Sequence, residues 1–197
     1  MTAKTRIEKM AENRAKLIAA GRKAFAEKGF SAASMDDLTA EAGLTRGALY
    51  HNFGDKKGLL AAVVDQLDTE LAQKAKAAAL QAGGGWRGLM AEGMAYIEMA
   101  LEPEVQRIIL LDGPAVLGDP SQWPSQNLCL QATIDTLQLL ANEGQIKAVD
   151  IEALARLLNG LALNAALWVA ASEDATATLP KAIAAFECLA SGVLNRN

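Results

Sequence analysis

The sequence predicts an all-α fold of about nine helices: an N-terminal three-helix head carrying a helix-turn-helix, then a larger helical body. Three observations predict it. Only five prolines and few β-branched runs occur in 197 residues, and 51% hydrophobic residues supply a substantial core. Apolar residues recur at three- and four-residue spacing along most of the chain. Charge is split: residues 1–57 hold 11 Lys/Arg against 7 Asp/Glu, a net +4, while residues 58–197 hold 8 against 16, a net −8. The overall charge of −4 therefore conceals a basic end, the local surface that nucleic acid requires.

Residues 1–10 are polar and expected to fray, with Lys4, Arg6 and Lys9 either in a mobile tail or in an arm that reaches DNA. A first helix is predicted from about Ala11 to Lys28, with Leu17, Ile18, Gly21, Ala24 and Phe25 inward. Gly29 stops it, and Phe30 folds back on Phe25. Ser34 caps the second helix, with Asp37 as a weak capping-box partner, and Leu38 and Ala42 share one face. Gly43 supplies the left-handed turn. Thr45 caps the third helix, whose first turn is Arg46, Gly47 and Ala48. Such a second helix of a helix-turn-helix enters the major groove by its N-terminal residues. Arg46 suits a guanine edge or a phosphate, Gly47 and Ala48 allow close approach, and Tyr50, His51 and Asn52 offer polar tips. Lys56 and Lys57 open the next helix against its dipole, a penalty that a bound phosphate relieves.

That fourth helix is predicted to run from about Lys56 to Gln81 with an unbroken stripe of Leu59, Leu60, Val63, Val64, Leu67 and Leu71, linking head and body. Gly83-Gly84-Gly85 lacks the lysine of a phosphate-binding loop and reads as a connector. Helix five spans about Trp86 to Leu101, and helix six opens at Pro103 and is interrupted at Gly113-Pro114. Gly118, Asp119, Pro120 and Pro124 mark a loop before helix seven, about Ser125 to Asn142. Helix eight, about Asp150 to Ala171, is apolar around most of its circumference and must bury more than one face. Helix nine, about Leu179 to Leu194, makes the same demand. The pair is expected to form a four-helix homodimer interface through Leu161, Trp168, Ile183, Phe186, Ala190 and Val193.

The one histidine, His51, lies in the third helix, so a His-based triad elsewhere and a multi-histidine metal site within one subunit are excluded. No enzyme activity, cofactor or metal is expected. Cys129 and Cys188 have no metal spacing and demand no disulfide. No apolar leader opens the chain, and apolar stretches are broken before they reach membrane-spanning length. A cytoplasmic protein with no membrane partner is the resulting expectation.

The stretch 11–72 resembles the TetR family of bacterial transcriptional regulators. The matching residues are Gly29-Phe30, Ser34 to Leu38, Ala42 to Thr45, Arg46 to Phe53 and Asp55-Lys56. Thr39 stands where the family commonly has alanine, Leu44 where it has valine, and Thr45 where it has serine, with the capping hydroxyl kept. The resemblance implies a DNA-binding domain over 1–55 and an effector-binding and dimerisation domain over 56–197. It implies phosphate contacts from Ser34, Thr45, Tyr50, His51 and Lys57, and base-edge contacts from Arg46, Gly47 and Ala48. It implies a homodimer on double-stranded operator DNA, a repressor released by a small, largely apolar effector. Control by a protein partner, or by no effector, is the alternative. Expected pocket residues are Trp86, Met90, Met94, Tyr96, Trp123, Asn127, Asn164 and Trp168, with Asn164 singled out as an amide in an apolar helix.

Overall fold

The computed structural model describes residues 5–195, apart from the side chains at 125–128. Lys4 and the side chain of Asn127 therefore lie outside the described residues. Helix α1 (Arg6–Ala32) starts earlier than the apolar pattern predicts, because Thr5 and Glu8 form a capping box. The Glu8 N–H donates to Thr5 Oγ1 at 3.3 Å, and the Thr5 N–H donates to Glu8 Oε2 at 2.7 Å. Arg6 and Lys9 thus lie on a helix instead of in a tail. Gly29 breaks α1 at φ 76, ψ 166, and the rings of Phe25 and Phe30 meet beside it with centroids 5.8 Å apart.

Helices α2 (Met35–Glu41), α3 (Arg46–Phe53) and α4 (Lys56–Gln81) are each capped by the residue before them. Ser34, Thr45 and Asp55 accept from the N–H groups of Asp37, Ala48 and Gly58 at 3.0, 3.2 and 2.7 Å. The Asp37 carboxylate does not complete a box; it pairs with Lys28 at 3.2 Å. Gly43, at φ 64, makes the turn between α2 and α3. Leu17, Phe25, Leu38, Leu49, Leu59 and Leu60 are fully buried, so the head closes over the first turns of α4. Gly58 permits this: a Cβ there would stand 1.9 Å from the Phe53 carbonyl oxygen.

The body continues with α5 (Gly85–Glu98) and a 3-10 turn, Met99–Leu101. Next come α6 (Pro103–Val105), a π-helical turn (Gln106–Asp112) and α7 (Gly113–Leu117), running on without a break. The predicted interruption at Gly113-Pro114 does not occur. The Gly113 N–H reaches back to the Ile108 carbonyl, the π spacing, and the widened turn absorbs a proline that has no N–H to give. A second 3-10 turn, Pro120–Gln122, precedes α8 (Pro124–Asn142), α9 (Ile151–Ala171) and α10 (Ala175–Ser191). Counting α6 to α7 as one rod gives nine helices, with no strand among the described residues. Helix α10 begins before the predicted Leu179, because Asp174 caps it through the Ala177 N–H at 2.9 Å, and Pro180 is carried inside it.

Helix α9 packs on α5, α8 and α10 through Leu154, Ala155, Leu158, Ala162, Ala165, Ala166 and Val169. The expectation that no stretch reaches membrane-spanning length is corrected here. Its 21 residues, with mean hydropathy 1.4, have the length and composition for it. Its inner face is core of this chain, while Leu157 and Trp168, 72% and 50% exposed, point outward. The apolar circumference thus serves two burials, one internal and one unpartnered within the chain.

Two sets of contacts clasp head to body. Arg22 of α1 donates to Glu104 at 2.7 and 2.8 Å and to Glu70 at 2.8 and 2.9 Å. Glu104 first, then Glu70, drive the guanidinium pKa further up, so it stays charged at every accessible pH. Beside it the Phe30 N–H donates to Asp112 at 2.7 Å, and Asp112 also accepts from Arg107 Nε at 3.2 Å. Gly29 lies under that arginine: a Cβ would come within 1.9 Å of its Nη2.

Candidate nucleic-acid interface and effector cavity

The exposed side of α3 gathers Arg46, Gly47, Tyr50 and His51, with Lys57 and Ser34 exposed nearby in the chain's head; Ala48 is half-buried. Thr45 and Ser34 use their oxygens as cap acceptors, which leaves each hydroxyl proton free to donate. Arg46 forks onto Asp36 of α2, Nε to Oδ1 and Nη2 to Oδ2. That pair holds the Asp36 carboxyl below the ordinary carboxylate range and fixes where the guanidinium points. Asn52 turns back into its own helix, donating from Nδ2 to the Ala48 carbonyl at 2.7 Å. Arg14 of α1 lies 4.7 Å from the Phe53 ring centroid, fastening α1 to the end of α3.

Lys56 corrects the sequence reading. Its ammonium donates to the Phe30 and Ala33 carbonyls at 2.8 and 2.9 Å and stands 4.4 Å from the Phe30 ring centroid. The left-handed Gly29 leaves these carbonyls at the end of α1 without helical partners, and Lys56 satisfies them. It is therefore a structural cap joining α1 to α4, while Lys57 stays exposed.

A cavity of about 80 Å³ lies between five helices of the body. Helix α4 contributes Asp68, Leu71, Ala72 and Ala75; α5 contributes Leu89, Met90, Glu92, Gly93 and Tyr96. Cys129 and Thr133 come from α8, Leu158, Asn159, Ala162 and Leu163 from α9, and Phe186 from α10. The Thr133 hydroxyl lies 3.0 Å from the Cys129 carbonyl and 3.1 Å from Asn159 Oδ1. Burial raises the Tyr96 hydroxyl pKa, with Asp68 adding to it, and burial raises that of Glu92. The Cys129 thiol is pushed up by burial, then by Glu92 and Asp68, so it stays protonated.

Of the expected pocket residues, Met90 and Tyr96 reach this cavity. Trp86 and Met94 are half-buried at the edge of the core instead. Trp123 lies between head and body, lining a groove with Arg14, Phe53 and Leu117. Asn164 is exposed on α9 on the same side as Leu157 and Trp168, away from the cavity. The interface expectation is corrected for two of its six residues. Phe186 and Ala190, 3% and 1% exposed, face the chain's own core, since Phe186 fills the space left by Gly93. Leu161, Ile183 and Val193 are half-buried at its margin, and Trp168 alone of the six is exposed. The outward face instead holds Leu157, Trp168, Ala184, Ala185 and Leu189. Sequence reasoning missed Asp68, Glu92, Gly93 and Asn159 in the cavity. The available signal was a charge inside an apolar stripe: Asp68 sits between Leu67 and Leu71, on the buried face.

A helix-turn-helix on a basic head, joined by one long helix to a helical body with a cavity, defines a DNA-binding transcription regulator. Comparison with known proteins specifies it further. Residues 86–193 match the tetracyclin repressor-like C-terminal domain, and residues 17–63 match the bacterial regulatory proteins of the tetR family. The chain belongs to the TetR family, whose members are DNA-binding regulators and not enzymes. It is similar to a TetR-family transcriptional regulator from Pectobacterium atrosepticum, 48% identical with a TM-score of 0.87, over 98% of this chain and 99% of that one. It is 28% identical over 156 residues to the transposon Tn10 TetC protein of Escherichia coli, 77% of each chain. It is 27% identical over 105 residues to the HTH-type transcriptional repressor AcnR of Corynebacterium glutamicum, 53% of this chain and 55% of that one.

Proposed function

We propose that this regulator is a homodimeric repressor that holds double-stranded operator DNA through α3 and lets go when a small, largely apolar effector enters the body cavity. The observation that carries this reading is α4. Its first turn packs under α3, and its Asp68, Leu71, Ala72 and Ala75 line the cavity. Arg46, Gly47 and Ala48 meet base edges; Ser34, Thr45, Tyr50, His51 and Lys57 meet phosphates. Residues 1–55 act as the DNA-binding domain and 56–197 as the effector and dimer domain. The exposed face of α9 and α10 covers its twin in the second protomer, burying Leu157, Trp168 and Leu189. Two α3 helices then reach successive major-groove faces roughly 34–36 Å apart or a multiple of that. The repressor sense follows the repressor named in Corynebacterium, and the DNA partner implies the cytoplasm.

The test is anisotropy with the DNA upstream of the protein's own gene, at several salt concentrations, beside sedimentation of the free protein. Preference for that DNA over random sequence, a steep salt slope and a dimer are expected. Equal binding to both DNAs, or a monomer, removes the reading. Tight operator binding that no small molecule relieves favours a protein partner in the effector's place.

A further inference from the structure

We propose that the body cavity selects an amphiphile carrying one cationic nitrogen, an alkyl- or arylammonium, with its apolar part against Leu71, Met90, Leu158 and Phe186 and its charge facing Glu92 and Asp68. The proposal rests on the effector reading and names the chemistry of that effector. Most of the lining is aliphatic or aromatic, which suits an apolar body. Among the described residues, the charged groups in the wall are both acidic: Asp68, 4% exposed, from α4, and Glu92 from α5. Among the described residues, no lysine, arginine or histidine lines the cavity. Lys76, the cation that acts on Glu92, is exposed on α4 and lies outside the lining.

Asp68, Glu92 and Cys129 all line this one cavity, and both carboxylates raise the Cys129 thiol. Burial disfavours the Glu92 anion, and a cation brought beside it offsets that penalty with a charge-assisted hydrogen bond. The Tyr96 hydroxyl also belongs to the wall and makes no hydrogen bond among the described residues. It is held neutral by burial, so its oxygen accepts from an ammonium and its ring face attracts one. An anionic effector would meet two like charges in a desolvated site and be rejected.

The experiment uses a trio of one shape and three charges, phenylbutylamine, phenylbutanol and phenylbutyrate, titrated calorimetrically into the full-length protein. Operator release by each compound is scored separately. The amine is expected to bind about tenfold or more tighter than the alcohol, and the acid weakest. The amine's affinity should rise with pH as Glu92 ionises, at a pH above the ordinary glutamate range because burial raises its pKa, while the alcohol's stays flat. Glu92→Gln should bring amine and alcohol within about threefold, with thermal unfolding as the folding control. The trio on the unaltered protein decides the matter even where that variant fails to fold. Alcohol or acid binding as tightly as the amine overturns the proposal. Amine-selective binding that leaves the operator complex intact sustains it and refutes effector release. No binding by any of the three at millimolar concentration overturns both.

Discussion

The head and the middle of the body are built by different rules. Each of α1 to α4 is started by a side chain, Thr5, Ser34, Thr45 or Asp55, that accepts from its own first turn. Helices α5 to α8 have no side-chain cap, and 3-10 and π turns interrupt the run between them. The head therefore takes its shape from local hydrogen bonds, the middle from what it packs against. A surface that presents fixed donors needs the first; the second covers α5 and α8, two of the five helices that line the cavity.

Four changes test that contrast, beginning with the largest effect. Phe186→Ala removes a buried ring of α10 that packs on Gly93 of the uncapped α5, and should lower stability by about 3–5 kcal/mol, read by urea unfolding. A loss under about 1 kcal/mol would mean the cavity wall closes freely, and the middle is softer than described. Gly93→Ala would put a Cβ 2.4 Å from Phe186 Cζ. It should destabilise by about 1–3 kcal/mol and shrink the cavity, checked by thermal unfolding and by binding of the apolar probe. Thr45→Ala, in the head, should cost about 1 kcal/mol through one lost cap, with hydrogen exchange rising at Ala48 and little beyond it. Spread of faster exchange into α8 would contradict local control. The smallest effect is on Arg46. Arg46→Ala should leave unfolding nearly unchanged, weaken operator binding roughly tenfold or more, and lower the salt slope by about one.

Acid offers a fifth test, on the seam between the two regions. The Glu70 carboxyl is held below its ordinary value by Gln66 first and by Arg22 next. A carboxyl depressed in the folded state stabilises above its unfolded pKa and loses that contribution as pH falls through the folded one. The head should therefore loosen from the body on acidification below about pH 4.5, the ordinary value for Glu70, before the core unfolds. Arg22→Met should abolish that step. Circular dichroism and tryptophan emission, followed together, separate the two events.

The same contrast decides what was legible in the sequence. Ser34, Gly43 and Thr45 encode their caps and turn in neighbouring residues, so the helix-turn-helix could be placed almost residue by residue. Gly113-Pro114 carries an equally clear local signal and misleads, because the π turn before it is fixed by tertiary contact. Lys56 resembles an exposed phosphate ligand until Gly29, far off in sequence, leaves carbonyls for it to satisfy. Phe186 fits an apolar helix pattern facing a partner, and Asn164 one facing a pocket. Which side of each helix is inside depends on Gly93 and α5, information that neither helix contains.

The 26-residue length of α4 has a geometric consequence. At about 1.5 Å per residue, Asp68 and Lys56 are separated by roughly 18 Å along a rigid rod. A guest that tilts α4 by about 10° at the cavity swings its other end by roughly 3 Å. In the proposed dimer the twofold axis applies the same swing in opposite directions, so the gap between the two α3 helices changes by up to about 6 Å. A groove-to-groove repeat of about 34 Å leaves little room for that error. Sub-ångström adjustments around a small molecule thereby become a misfit measured in base-pair steps.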